Sequence, residues 1–290
     1  MRAIVTGANS GMGKATVAAL ADKGYEVVML CRDEKRGKTA YEELLSEGSE
    51  RKIKLMLCDL GNYSSIRSFA EQYIKEYNYS SIRSFAEQYI KVYQGVDLLV
   101  NNAGFISLDR QVTDEGVERQ FGINHLGHFL LTNLLVPYMP EGARIVVVAS
   151  GAHKAGKIHF DDINLTRGYN VVKAYGQSKL ANVLFTRDLA MRLSDRKITV
   201  NCCHPGAVAT NMGVSRDTGF GKTITGMLKP FFQTPAEGAR TAVYLATSKE
   251  VSSVSGEYFY KCKIAKSSKQ SKDMELAARL YEMSVKMTGL

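Results

Sequence analysis

The sequence predicts an α/β protein: a doubly wound parallel sheet of about seven strands with helices on both faces, in three layers. Two observations carry this prediction. Short runs rich in β-branched residues alternate with amphipathic helical patterns along the chain, and a glycine-rich turn follows the first of these runs. The length of 290 residues suits one such domain, so we expect a single domain over residues 1–290.

Each strand is predicted where a short apolar run is bounded by turn-forming or charged residues, and each helix where apolar residues recur at helical spacing. The predicted strands are Ala3–Thr6, Glu26–Cys31, Ile53–Cys58, Asp97–Asn101, Arg144–Ala149, Thr199–Cys203 and Glu257–Tyr260. The predicted helices lie near Gly11–Lys23, Glu34–Glu47, Asp114–Tyr138, Tyr169–Ser194, Pro235–Thr247 and Asp273–Met287. This alternation is typical of βαβ units on a parallel sheet.

The composition, 45% hydrophobic and 23% charged, is that of an ordinary globular chain. No apolar run approaches the roughly 18 residues that span a bilayer. The first strand begins at about Arg2, so we expect no signal peptide or anchor ahead of it. The five cysteines show no metal-binding spacing, and we interpret them as reduced, small core residues. We therefore predict no metal site and a cytoplasmic location.

The net charge of +9 raises the question of an anionic partner. The basic side chains are dispersed, apart from a group of lysines between residues 261 and 272. This group has no interleaved aromatic platform and no DNA-reading motif, so we interpret it as a solvated face and expect no nucleic-acid partner. An anionic cofactor or an anionic membrane surface is the alternative.

One segment is duplicated. Residues 62–77 read NYSSIRSFAEQYIKEY, and residues 78–93 repeat them with Val92 in place of Glu76. Both copies carry the same apolar stripe, and in one unbroken helix of about 3.6 residues per turn the two stripes would point in different directions. One copy is expected to fill the slot between the third and fourth strands. The other is interpreted as an outward insertion, with an acquired binding role as the alternative, and the sequence leaves open which copy packs.

The glycine-rich turn reads TGANSGMG over residues 6–13. A tight turn, a close phosphate and helix packing exclude side chains at Gly7, Gly11 and Gly13, and the following helix offers unpaired N–H groups to a pyrophosphate. Because strand, turn and helix occur in this order, we predict a Rossmann-type dinucleotide site. Its predicted residues are Gly7, Asn9, Ser10, Gly11, Met12 and Gly13.

The residues after the second strand bear on which dinucleotide is bound. Asp33 lies about 20 residues past the turn, where an acid would bond the ribose 2′-hydroxyl of NAD. Arg32 directly precedes it and Arg36 follows, and an arginine there suits the 2′-phosphate of NADP. We predict NADP, with NAD and a purely solvated basic turn as alternatives.

A tyrosine and a lysine share one helical face in the string YGQSK, residues 175–179. Four residues are about one helical turn, so Lys179 is expected beside the phenol of Tyr175. We expect its ammonium to favour phenolate and to lower the phenol pKa from the usual value of about 10. The pair is therefore a candidate for proton transfer that accompanies hydride transfer.

Several strings together resemble the short-chain dehydrogenase/reductase family over nearly the whole chain. They are TGANSGMG (6–13), CDL (58–60), NNAG (101–104), INHLGHFLLTNLL (123–135), VVVASGAH (146–153), YGQSK (175–179) and HPGAVAT (204–210). The phrases NHLGHFLLTNLL and SKLANVLFTRDLA resemble its retinol dehydrogenase-like branch. The resemblance implies a Rossmann-fold oxidoreductase with a nicotinamide cofactor, and homo-oligomerisation through the helices near 114–138 and 169–194.

The resemblance also implies roles for single residues. Tyr175 would be the general acid/base, and Lys179 would bond the ribose hydroxyls. Ser150 would bond the substrate oxygen, and the backbone carbonyl of Asn124 would belong to a proton relay to Lys179. His125, His128, His153 and His204 are interpreted as structural or local hydrogen bonders. The cofactor residues implied beyond the turn are Arg32, Arg36, Asp59, Leu60, Asn101, Asn102, Ala103, Gly104, Tyr175, Lys179, Pro205, Gly206, Val208 and Thr210.

Together these inferences predict an NADP(H)-dependent oxidoreductase that interconverts a carbonyl and an alcohol on a hydrophobic small molecule. The apolar, glycine-interrupted stretch 211–234 is expected to close over that substrate, although a helix packing its apolar side on the domain explains the pattern equally well. A cofactor-binding regulator without turnover and a reductase of an activated C=C bond are the alternatives. Turnover with carbonyls and the identity of the product distinguish the three.

Overall fold

The computed structural model describes residues 1–78, 95–206 and 233–290. Within them, eight strands form one sheet: β1 (Arg2–Thr6), β2 (Glu26–Cys31), β3 (Ile53–Leu57), β4 (Leu98–Asn101), β5 (Arg144–Val148), β6 (Thr199–His204), β7 (Tyr258–Tyr260) and β8 (Lys263–Ile264). The order across the sheet is β3-β2-β1-β4-β5-β6-β7-β8. All neighbours from β3 to β7 are parallel, and β8 alone pairs antiparallel. The strand order reverses between β1 and β4, which is where such sheets bind ligands.

Helices lie on both faces of this sheet. The α-helices of the described residues are α1 (Gly11–Ala21), α2 (Glu34–Glu47), α3 (Tyr63–Asn78), α4 (Arg119–Phe121), α5 (Gly127–Leu135), α6 (Val171–Arg192), α7 (Pro235–Thr247) and α8 (Met274–Thr288). A π-helical segment, Gly122–Leu126, joins α4 to α5. Short 3₁₀ turns occupy Val136–Tyr138, Gly151–Ala155, Phe160–Asp162, Ser194–Arg196, Lys249–Val251 and Gln270–Lys272.

The doubly wound α/β prediction is confirmed, and the seven predicted strands match observed strands to within one residue at each end. The eighth strand was missed because two residues give no alternation to read. The helix predicted from Asp114 begins instead at Arg119. The buried carboxylate of Glu118 accepts the backbone N–H groups of Gln120 and Phe121 there and caps α4.

The apolar residues form one cluster on each face of the sheet, so both faces of the central strands are covered. On one face, α3 packs the first copy of the duplicated segment into the slot beside the sheet. Its side chains Ile66, Phe69 and Tyr73 are fully buried. On its outer side, the Arg67 guanidinium donates to the carbonyls of Thr288 (2.8 Å) and Gly289 (3.0 Å). The second copy, from residue 79 onward, lies outside the described residues.

A third apolar cluster fastens α8 across α6. Leu180 and Leu184 of α6 belong to the same buried apolar cluster as Ala277 and Leu280 of α8. Part of the helical surface expected to mediate self-association is therefore covered by the chain itself. Homo-oligomerisation stays a prediction, as do the single domain over 1–290 and the lid at 211–234, of which only the last two residues are described. No helix within the described ranges is both long and apolar enough to cross a bilayer.

Candidate active site

A cleft of about 360 Å³ opens at the carboxyl ends of the parallel strands, where the strand order reverses. A second cavity of about 150 Å³ adjoins it beside Asp33, Asp59 and Leu60. This cleft has two ends: the phosphate end, built by the turn at 6–13 with Asn102, and the proton end, built by Ser150, Tyr175 and Lys179. The larger cleft is lined by Gly7, Asn9, Ser10, Gly11, Met12, Gly13, Arg32, Arg36, Asn102, Ala103, Gly104, Phe105, Val148, Ala149, Ser150, Tyr175, Lys179, Pro205 and Gly206.

At the phosphate end, the backbone shapes the cleft. Gly7 has a φ of +63°, a left-handed conformation that glycine adopts without strain. A Cβ on Gly13 would lie 2.2 Å from the carbonyl oxygen of Gly7, so α1 can pack this closely only because that side chain is missing. Ser10 precedes α1 and makes no side-chain capping bond. The first turn of α1 thus faces the cleft and leaves space for a pyrophosphate.

Asn102 and Thr6 hold this end together. The Asn102 side-chain amide donates to the Thr6 carbonyl at 2.7 Å. The Thr6 hydroxyl in turn accepts the backbone N–H groups of Asn102 (2.9 Å) and Ala103 (2.8 Å). Asn101, by contrast, is buried and donates to the Thr132 hydroxyl at 2.8 Å, so it does not line the cleft. The expectation for Asn101 was therefore wrong, because strand alternation turns it the other way from Asn102.

Two arginines face the cleft beyond the turn. Arg32 and Arg36 line both the larger cleft and the adjoining cavity. Asp33 lines only the smaller cavity, and one of its carboxylate oxygens accepts the backbone N–H of Arg36 at 2.8 Å, which caps α2. Asp33, the candidate ligand for the ribose of NAD, thus also caps the N-terminus of α2.

At the proton end, Ser150 follows β5, and Tyr175 and Lys179 lie one turn apart on α6. The Lys179 ammonium is 5.7 Å from the centre of the Tyr175 ring and donates to the Val148 carbonyl at 3.0 Å. Lys179 is only 2% exposed. The side-by-side placement predicted from the spacing is what the structure contains.

The electrostatics of this pair differ from the sequence-based expectation. Burial raises the pKa of the Tyr175 phenol, and its hydrogen bond with Ser150 offsets only part of that rise. Burial also lowers the pKa of Lys179, to about 8. The expected fall in the phenol pKa was therefore wrong, because desolvation of the charged form raises the pKa more than the hydrogen bond with Ser150 lowers it.

Asn124 lies in the π-helical segment, a distortion frequent at functional sites. Its side-chain amide donates to the Phe105 carbonyl (2.9 Å) and to the Ser178 hydroxyl (3.0 Å), and its side-chain oxygen accepts the Phe105 N–H (2.7 Å). These bonds tie the segment after β4 to the residue next to Lys179. Asn124 itself is buried and stands behind the cleft wall.

The serine is also held from behind. Nδ1 of His153 lies 2.6 Å from the Ser150 carbonyl, and Nε2 of the same ring accepts the backbone N–H of Ser268 at 3.2 Å. A carbonyl only accepts, so Nδ1 carries the proton. The C-terminal segment is thereby fixed to the backbone of Ser150, in agreement with a structural role for His153.

The structure brings together, along the two cavities, every sequence-predicted cofactor residue that it describes except Asn101. Val208 and Thr210 lie outside the described residues. The sequence reading missed lining residues next to recognised motifs, and adjacency was the signal that could have found them. They are Phe105 after NNAG, Ile123 before Asn124, and Val148 and Ala149 before Ser150. No cluster of three metal-binding side chains occurs in the described part of the chain.

A glycine-walled dinucleotide cleft that ends on a tyrosine–lysine pair defines a class, the oxidoreductases that use a nicotinamide cofactor. Comparison with known proteins gives the family. The sequence profile described as short chain dehydrogenase matches residues 1–219, and the chain belongs to this family. Human retinol dehydrogenase 14 is 41% identical over 99% of this chain and 86% of its own length, and human retinol dehydrogenase 13 is 40% identical over 99% and 84%.

Solved structures agree. A crystal structure of an uncharacterized protein from Mycobacterium Paratuberculosis has a TM-score of 0.76 at 31% identity, covering 99% of this chain and 93% of its own. A blue fluorescent protein from a metagenomic library, solved in complex with NADPH, has a TM-score of 0.66 at 26% identity, covering 89% and 94%. The chain is thus an oxidoreductase with a nicotinamide cofactor, and the close approach of Gly13 to Gly7 fits the pyrophosphate of that cofactor.

Proposed function

We propose that this oxidoreductase uses NADP(H) to interconvert a carbonyl and an alcohol on a hydrophobic small molecule, with Tyr175 as general acid/base. The observation that carries the proposal is a shared wall: Ser150, Tyr175 and Lys179 line the same cleft as the phosphate-binding turn. Groups suited to proton transfer and groups suited to holding a pyrophosphate therefore face the same cleft.

Two arginines and an occupied carboxylate support NADP over NAD. Arg32 and Arg36 present guanidinium groups to the cleft, and such groups bind phosphate through charge-assisted, bidentate hydrogen bonds. Asp33 is engaged in capping α2. A 2′-phosphate would find two cations here, whereas a bare 2′-hydroxyl carries no charge to pair with them.

When bound, the nicotinamide supplies hydride to a carbonyl carbon or accepts it from a carbinol carbon. Tyr175 gives its phenolic proton to the carbonyl oxygen during reduction, and the raised pKa keeps that proton in place at neutral pH. Ser150, whose hydroxyl lies within hydrogen-bond reach of the phenol, donates its one hydrogen to the developing negative charge on the substrate oxygen. Lys179, held on the Val148 carbonyl, stabilises the phenolate that remains.

Asn124 supports the return of a proton to the pair. Its side chain is fixed by Phe105 and Ser178, so its backbone carbonyl has a set direction beside α6. A water bonded to that carbonyl would connect Lys179 to solvent. The apolar character of the substrate rests on the wall formed by Phe105, Val148 and Ala149 and on the names of the relatives, which specify retinol, an apolar alcohol.

The test is a panel of apolar aldehydes, ketones and alcohols, retinal and retinol among them, assayed with NADPH and NADH in parallel, with products identified. We expect carbonyl reduction with NADPH, and a fall of about 10²–10⁴-fold in Tyr175→Phe with NADPH affinity unchanged. Full turnover in Tyr175→Phe would refute the acid/base role. NADPH binding without turnover on any substrate would favour a cofactor-binding regulator, and saturation of a C=C bond would favour the alternative reductase.

A further inference from the structure

A second buried histidine connects the phosphate end of the cleft with the π-helical segment that contains Asn124. The side chain of His128, on α5, is 1% exposed and is therefore shielded from water. Nδ1 of its ring lies 3.1 Å from the carbonyl oxygen of Asn124, and Nε2 lies 2.9 Å from the hydroxyl of Thr6. One imidazole therefore touches the backbone of the π-helical segment and the last residue of β1.

The proton positions on this ring follow from its partners. The Asn124 carbonyl can only accept, so Nδ1 carries a hydrogen and donates it. Burial lowers the pKa of His128 to about 4, so the ring is neutral and Nε2 accepts. The Thr6 hydroxyl must then donate to Nε2 at 2.9 Å, in preference to the Val100 carbonyl at 3.5 Å.

The Thr6 hydroxyl is itself a junction at the phosphate end. Its oxygen already accepts the N–H groups of Asn102 and Ala103, both of which line the cleft. The hydrogen bonds therefore run without a break from the cleft wall through Thr6 and His128 to the Asn124 carbonyl. The two hydrogen bonds of His128 are buried, so water competes little for them.

We propose that His128 is a positioning residue, which aims the Asn124 carbonyl for proton transfer and braces the cofactor-facing backbone through Thr6. The proposal rests on the proposed function, because Asn124 matters only if Tyr175 and Lys179 move protons. The two contacts separate two effects. The Nδ1–H bond acts on turnover, and the Nε2 bond acts on cofactor binding.

The same helix shows how one contact is removed without the other. Asn133 of α5 donates its side-chain amide to the carbonyl of Phe129, four residues earlier, at 2.8 Å. An asparagine at position 128 would likewise follow its acceptor by four residues, so we expect its amide to reach the Asn124 carbonyl but not Thr6. His128→Asn therefore retains the bond to Asn124, whereas His128→Leu removes both bonds.

His125 provides the matched control. It is equally buried on the same stretch of helix, but its Nε2 faces the Ser284 hydroxyl of α8 at 3.0 Å, away from the cleft. His125→Leu and His125→Asn remove a buried imidazole of the same kind. They report the cost to stability without touching the connection between Thr6 and Asn124.

The experiment measures kcat, the KM for NADPH, and Tm for all four variants and the wild type, using the best carbonyl from the panel. We expect His128→Leu to lose about tenfold in kcat and to raise the KM for NADPH about tenfold, as one lost hydrogen bond of about 1.4 kcal/mol implies for each quantity. His128→Asn should recover kcat to within about twofold and keep the raised KM. The His125 variants should lower Tm only.

The proposal is overturned if His128→Asn loses as much kcat as His128→Leu, or if the His125 variants change kcat as the His128 variants do. If His128→Leu fails to fold, the comparison of His128→Asn with His125→Asn still decides, since only the former should raise the KM for NADPH. Failure of the proposed function is a separate result: Tyr175→Phe would then retain wild-type turnover, or the substrate panel would show NADPH binding without turnover or saturation of a C=C bond.

Discussion

The phosphate end and the proton end of the cleft are built by different means. At the phosphate end, the shape comes from the backbone and from missing side chains: Gly7 adopts a positive φ, and Gly13 allows α1 to approach the turn. At the proton end, Tyr175 and Lys179 are long side chains projecting from one helix. The phosphate end should therefore fail when atoms are added, and the proton end when a polar atom or a charge is taken away.

Gly13→Ala tests the first half of this comparison and should have the largest effect. The added Cβ would lie 2.2 Å from the Gly7 carbonyl and 2.6 Å from the Asn102 side-chain nitrogen, so the turn must shift. We expect NADPH affinity to fall by about 100-fold and the free energy of unfolding by about 1–3 kcal/mol. Fluorescence titration with NADPH and thermal melting measure the two effects.

Gly37→Ala is the control for that variant. Its added Cβ would meet a methyl group of Leu55 at 3.0 Å, and a leucine side chain can move. Stability and NADPH affinity should stay close to those of the wild type. Unchanged NADPH binding in Gly13→Ala would contradict the backbone-built phosphate end.

Replacing the two arginines sharpens the comparison, because they are the part of the phosphate end that depends on side chains. The double variant Arg32→Ala/Arg36→Ala should lower the preference for NADPH over NADH by about 30-fold, mostly through weaker NADPH binding. Parallel kinetics with the two cofactors give the ratio. Equal losses for NADPH and NADH would mean that the arginines support the turn and do not read the 2′-phosphate.

At the proton end, the charge of Lys179 can be removed by raising the pH instead of by substituting the residue. The pKa of Lys179 is lowered to about 8, so rising pH removes its charge through that value, while the raised phenol pKa keeps Tyr175 protonated. We expect kcat for reduction to fall about tenfold between pH 7 and pH 9. Lys179→Arg, whose guanidinium stays charged, should show low activity without that inflection. A flat kcat profile in the wild type would contradict the need for the ammonium.

The smallest effect is expected outside the cleft, in the duplicated segment. Deleting residues 78–93 leaves the packed copy intact, and kcat should change by less than about twofold. Deleting residues 62–77 instead gives the same sequence with valine in place of Glu76, which pairs with Lys54 across the surface. The two deletions should differ in unfolding free energy by about 0.2–1 kcal/mol, the contribution of a half-exposed ion pair.

Chemical denaturation of both deletion variants measures that difference. A large fall in turnover with NADPH binding unchanged, in the deletion of residues 78–93, would refute a passive insertion. The pair of variants also separates packing from charge, because the apolar stripe is the same in both.

Local patterns sufficed for much of the fold and for the cleft wall. β-Branched runs located seven strands, and glycine spacing located the turn, because both signals lie within a few neighbouring residues. Partners far apart in sequence were not readable. The contact of His128 with Thr6 joins residues 122 positions apart, so it depends on how distant elements meet.

The pKa of Tyr175 is a second property that the local sequence pattern did not predict. The spacing of four residues correctly placed Lys179 beside the ring. It carried no information on burial, and burial decides the direction of the shift. Sequence patterns thus located the groups of the proton end but not their protonation energies.

The contact of Arg67 with the carbonyls of Thr288 and Gly289 spans more than 200 positions of the chain. On the ribosome, residues are added at about 5–20 per second. The carbonyls of Thr288 and Gly289 are therefore synthesised roughly 10–45 seconds after the Arg67 side chain that they bind. During that interval an almost identical second segment has already left the exit tunnel. Two nearly identical segments, residues 62–77 and 78–93, can therefore compete for the same position beside the sheet before the partners of Arg67 are synthesised.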